Sequence, residues 1–83
     1  MKLSIKALAL ACGIIWAVVM LLVGLARMAS PAYGLEFMQV MASIYPGFDT
    51  AATIKNAIVG ALYGLVDAGI GGAIFAFVYN RFA

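Results

Sequence analysis

From Asn56 to Asn80 the chain reads NAIVGALYGLVDAGIGGAIFAFVYN, with one charge, Asp67, and with Lys55 and Arg81 as brackets. A hydrocarbon core about 30 Å thick is crossed by roughly 20 apolar residues in helical form. The stretch therefore predicts a transmembrane helix over 56–80, long enough to cross with some tilt. Ala7 to Ala26 is a second run of this kind, uncharged and held between Lys6 and Arg27. It predicts a first transmembrane helix over 7–26. The apolar residues in these runs do not alternate, which excludes the strands of a β-barrel.

The remaining composition excludes the other classes. Of the 83 residues, 67% are apolar and 10% charged, against about 45–50% and 25% in soluble domains. So few charges cannot cover the large relative surface of a small soluble fold, and so apolar a chain is no disordered tail. Cys12 is the only cysteine, so there is no disulfide scaffold. Histidine is absent, which removes the commonest general base and metal ligand. No nucleophile–base constellation or metal-ligand cluster is legible. We therefore expect no enzyme: no catalytic, cofactor-binding or metal residues, and no cofactor. A net charge of +2, scattered along the chain, does not suggest nucleic acid.

A basic start, an apolar run and Ala29-Ser30-Pro31-Ala32 together resemble a secretory signal. The apolar run exceeds the 7–15 residues or so of a signal core. With Met1 present, we expect an uncleaved transmembrane helix.

The 29 residues from Arg27 to Lys55 are too apolar for a plain loop. Ser30 is expected to cap a helix that has Pro31 at its first position. Leu35, Met38, Met41, Ala42 and Tyr45 then recur at helical spacing, with Glu36, Gln39 and Ser43 on another face. This predicts an amphipathic helix over 30–45, suited to the headgroup layer or, alternatively, to a partner protein. Pro46-Gly47 predicts a type II turn. Asp49 or Thr50 is expected to cap the next helix, and Tyr45 and Phe48 to lie at the interface.

The predicted architecture is an all-α membrane protein, a single domain over 1–83. It is a hairpin of two transmembrane helices with an interfacial helix in the loop. Both termini then lie on one side. Lys2, Lys6 and Arg81 on that side outnumber Arg27 and Lys55 on the other, which favours cytoplasmic termini.

Asp67 lies near the middle of the second span, where an aspartate costs about 2.5–3.5 kcal/mol on translocon scales. On a helical wheel Asn56, Gly60, Tyr63, Gly64, Gly71, Ile74 and Val78 share its side. Gly60, Gly64, Ala68, Gly72 and Ala76 form a small-xxx-small ridge, a surface on which helix backbones approach closely. The candidate packing and functional residues are thus Asn56, Gly60, Tyr63, Gly64, Asp67, Ala68, Gly71 and Gly72. Asp67 is expected on the edge of this ridge, facing protein. Desolvation with no cation in either span favours its neutral carboxyl. Tyr63, the Cys12 thiol, glycine carbonyls or another copy are its candidate partners. Cys12 otherwise reads as a small apolar filler, and Trp16 as a space-filler between helices.

Several pieces carry a resemblance: Lys2-x-x-x-Lys6-Ala7-Leu8-Ala9-Leu10 before the first span, Ile44-Tyr45-Pro46-Gly47-Phe48, and a second span with Gly60, Tyr63-Gly64-Leu65, Asp67, Gly71-Gly72-Ala73-Ile74-Phe75-Ala76 and Tyr79-Asn80. Together they resemble a group of small prokaryotic two-span membrane proteins commonly labelled "bacteriophage holin". The likeness is weakest from Ala17 to Ala42. It implies a multi-pass protein of the inner (cytoplasmic) membrane that oligomerises into lesions. Its partners would be the lipid bilayer and other copies of itself.

An accessory subunit of a larger respiratory, photosynthetic or transport complex is the alternative reading. A third follows from Gly64-Leu65-Val66-Asp67-Ala68, which is similar to the proton-carrying segment of the ring subunit of rotary ATP synthases. The first span lacks that family's dense glycine repeat, and the loop lacks its short polar turn.

Overall fold

The computed structural model describes residues 2–83. Three helices follow in order: α1 (Ile5–Ala29), α2 (Leu35–Ile44) and α3 (Ile54–Phe82). α1 and α3 are long and apolar enough to cross a membrane. They form an antiparallel hairpin with a short helix in its connector, and no strand occurs among the described residues. The fold class read from the sequence is the fold observed.

Both long helices start before their apolar runs, because polar side chains cap them. Ser4 Oγ accepts the Ala7 N–H at 3.2 Å. Thr53 Oγ1 accepts the Asn56 N–H at 3.1 Å. Each satisfies an amide that has no partner within the helix. The cap of α3 is therefore Thr53, displaced from the expected Asp49 or Thr50. Asp49 instead accepts the Ala51 N–H at 2.8 Å and closes a local turn.

The middle helix is shorter than the 30–45 read from the sequence. Ser30 ends α1, with its N–H on the Ala26 carbonyl at 2.9 Å. Pro31 forces the preceding residue into extended backbone, which stops α1 there. A turn follows, and α2 begins only after Gly34, whose φ of 65° lies in the left-handed region. A residue with a Cβ is strained in that conformation. The Pro46-Gly47 reading holds: the Phe48 N–H bonds the Tyr45 carbonyl at 3.1 Å, and Gly47 has φ 83°, as a type II turn demands.

The seam between α1 and α3 is built of small residues. A Cβ added at Gly13 would lie 2.7 Å from the Leu65 carbonyl, at Gly24 2.7 Å from the Ala57 Cβ, and at Gly72 2.8 Å from the Leu8 carbonyl. One at Gly64 would lie 3.0 Å from Trp16 Cδ1 and 3.2 Å from Met20. The ridge of Gly60, Gly64, Gly72 and Ala76 is buried, and Ala68 is half-buried within it. Large apolar side chains, including Ile14, Leu22, Leu62, Ile70 and Phe77, face outward.

The molecule measures 44 × 19 × 17 Å. A helix of 29 residues is about 44 Å long at 1.5 Å per residue. The connector thus adds no length to the hairpin; it folds back along one flank. Met38 and Met20 are fully buried there beside Tyr45 and Phe48, which are 3% and 4% exposed. Phe37, Met41 and Ala42 pack against them. The helical period read for this segment is correct, and Glu36, Gln39 and Ser43 do face outward. The cover for its apolar face is the hairpin itself. Tyr45 and Phe48, expected at the membrane interface, are core residues for the same reason.

Candidate functional site

Three polar residues of α3 fall on one side of the helix: Asn56, Tyr63 and Asp67. Each is hydrogen-bonded to the connector. At the loop end, Asn56 Oδ1 accepts the Asp49 N–H at 3.2 Å. Its Nδ2 donates to the carbonyls of Asp49 at 2.8 Å and Ala51 at 3.0 Å. Two turns on, the Tyr63 hydroxyl donates to the Pro46 carbonyl, and its ring stacks on Tyr45 with centroids 5.0 Å apart. One turn further, Asp67 Oδ2 accepts the Tyr45 hydroxyl at 2.8 Å. These residues do not line a path; together they hold the connector.

Of the three contacts on α3, that of Tyr45 with Asp67 lies farthest from the loop end. The Tyr45 oxygen also accepts the Trp16 Nε1–H at 3.2 Å, and the Trp16 ring meets Phe37 edge-on at 5.9 Å. Trp16 therefore fills space, as read from the sequence, and also donates a bond that the sequence did not reveal. Trp16 precedes the end of α1 by 13 residues, and Asp67 follows the start of α3 by 13. At 1.5 Å per residue the contacts of the Tyr45 hydroxyl thus lie about 20 Å from the loop end. Phe48 follows the turn and packs where Gly60 leaves room: a Cβ at Gly60 would lie 2.7 Å from the Phe48 ring. Burial pushes the Tyr45 hydroxyl above its ordinary value near 10; the bond from Trp16 opposes this and the neighbouring Asp67 adds to it. The phenol is thus a proton donor at neutral pH, which matches the geometry of its bond to Asp67.

None of the partners expected for Asp67 within its own chain is the one observed. Tyr63 is taken by Pro46, and the Cys12 Sγ packs against Gly72 as a small filler. Asp67 lies on the edge of the ridge, as expected, but its side chain is exposed on the hairpin surface. Gly71 departs in the same way. A Cβ there would meet nothing within 4 Å, so Gly71 takes no part in the seam that holds Gly60, Gly64 and Gly72. Leu65, placed on the far face by the wheel, touches the seam through its carbonyl and Cδ1 beside Gly13.

The two ends of the hairpin are closed by polar clasps. At the loop end Arg27, 4% exposed, donates to the carbonyls of Pro31 and Thr50. At the terminal end the Leu3 N–H donates to Asn80 Oδ1 at 2.7 Å, and Asn80 Nδ2 returns a bond to the Leu3 carbonyl at 2.8 Å. No group of three or more metal-ligating side chains is gathered among the described residues. Comparison with protein-family models, curated proteins and solved structures finds no match.

Proposed function

We propose that this chain is a non-enzymatic integral protein of the inner (cytoplasmic) membrane that works by lateral assembly in the bilayer, as a holin-like subunit. One observation carries the reading. The outward faces of α1 and α3 carry mostly large apolar side chains, and at mid-span of α3 they are broken by one exposed carboxyl group, Asp67. The apolar surface suits lipid. The carboxyl does not: intramembrane charges face a bundle interior or a water-filled cavity. A protein neighbour on that flank meets the need.

Charge placement supports cytoplasmic termini. Arg27 is wrapped by loop carbonyls, which leaves Lys55 as the exposed cation of the loop end, against Lys2, Lys6 and Arg81 at the other.

Sizing with light scattering in mild detergent tests the assembly. A particle of several copies, together with an abrupt loss of membrane potential on induction of the chain alone, is the expected result. A stoichiometric larger partner with an unchanged potential replaces the holin-like reading by the accessory-subunit one. A lone monomer in detergent and in native membranes overturns both.

A further inference from the structure

We propose that the neighbour on the Asp67 flank is a second copy of this chain in the same orientation, with Asp67 against Asp67 and the backbones meeting at Gly71. The proposal rests on the assembly reading above and names its partner and contact. The docked connector covers this flank of α3 from Asn56 down to Tyr63 and ends at Asp67. Below it Gly71, Ile74 and Val78 are uncovered.

Two features of the uncovered part point to a like copy. The first is chemical self-complementarity. Asp67 uses Oδ2 on Tyr45; Oδ1 has no hydrogen-bond partner among the described residues. Two carboxyl groups that share one proton hydrogen-bond to each other, and two copies inserted the same way bring them to the same depth. A like copy is therefore sure to offer a matching group at that level. The second is shape. Gly71 is exposed one turn below, with open space where a Cβ would be. A neighbouring helix can approach closely there and bring the carboxyls into hydrogen-bond range. The other glycines of the ridge are already covered, Gly64 and Gly72 by α1 and Gly60 by Phe48 and Met20.

Cysteine crosslinking in native membranes, with Cys12→Ala removing the native thiol, tests the contact. Ile74 and Leu62 are equally exposed on the hairpin, 58% and 59%, but around α3 Ile74 lies about 20° from Asp67 and Leu62 about 140° from it. Ile74→Cys should form a disulfide between copies, and Leu62→Cys should not. Gly71→Leu should abolish the Ile74→Cys crosslink while helix content by circular dichroism stays unchanged, since the new side chain meets nothing in its own hairpin. Asp67→Leu should weaken dimerisation roughly tenfold, the size of one interhelical hydrogen bond between model membrane helices. Asp67→Asn should retain it, because an amide also pairs with itself. Equal crosslinking at both positions, or an Ile74→Cys crosslink that survives Gly71→Leu, overturns the interface. If no copies crosslink but a larger partner co-purifies, assembly stands and this proposal falls.

Discussion

Tyr45 shows how much one side chain settles. Its oxygen takes the Trp16 N–H and its proton goes to Asp67, so it joins α1, the connector and α3 at one point. Hydrogen bonds between membrane helices average about 0.6 kcal/mol and reach about 1.7. Tyr45→Phe, which keeps the ring stacking on Tyr63, should therefore loosen the connector by about 0.6–1.7 kcal/mol. Hydrogen exchange of the α2 amides measures this, and unchanged protection would remove Tyr45 from its role. The pH dependence follows from the raised ionisation point. Because the folded value lies above the unfolded one, the bond's contribution is whole below about pH 10 and fades as pH rises through the raised value. An absorbance titration should show a tyrosine ionising above 10 that disappears in Tyr45→Phe.

At the scale of the elements, the seam between α1 and α3 rests on missing side chains. The glycines set the spacing, so a branched residue must push the helices apart. Gly64→Leu would drive its side chain into Trp16 and Met20, and overpacking of this kind costs about 1–3 kcal/mol or more. The expected outcome is a wider hairpin, read as a longer spin-label distance between Leu10 and Ile70, both exposed. Gly71→Leu should leave that distance unchanged. If the two variants widen the hairpin equally, the seam is wrongly placed. α2 depends on the seam in turn, because Gly60 must be small for Phe48 to enter.

The whole molecule is a hairpin with its loop folded back on itself. Its clasps have a common logic: each joins backbone groups that no helix satisfies. Asn56 and Arg27 do so at the loop end and Asn80 at the other, which removes the cost of unpaired amides and carbonyls in an apolar setting. The folded-back loop predicts a labelling pattern. Single cysteines at Phe37, Met38, Met41 and Ala42 should resist a maleimide reagent, while those at Glu36, Gln39, Val40 and Ser43 should react. Uniform reaction along α2 would mean that the connector is not docked.

The sequence by itself determined the two long helices, their antiparallel pairing, the glycine ridge, the Pro46-Gly47 turn and the inward face of the middle helix. All of these follow from local composition or period: an uncharged run of spanning length, small residues four apart, apolar residues at helical spacing. Only the tertiary structure decided what covers that inward face. Tyr45 reaches Trp16 across 29 residues of chain and Asp67 across 22, and no local pattern encodes such a pairing. The polar stripe of Asn56, Tyr63 and Asp67 was legible, but its partners were not, because backbone carbonyls in a loop leave no mark in a sequence. The sequence also assigns both Gly71, beside Asp67, and Gly72, in the ridge, to one packing surface. Neighbouring residues stand about 100° apart on a helix, and an arc wide enough to describe a packing face admits both. The position of α1 alone puts Gly72 in the seam and leaves Gly71 outside it.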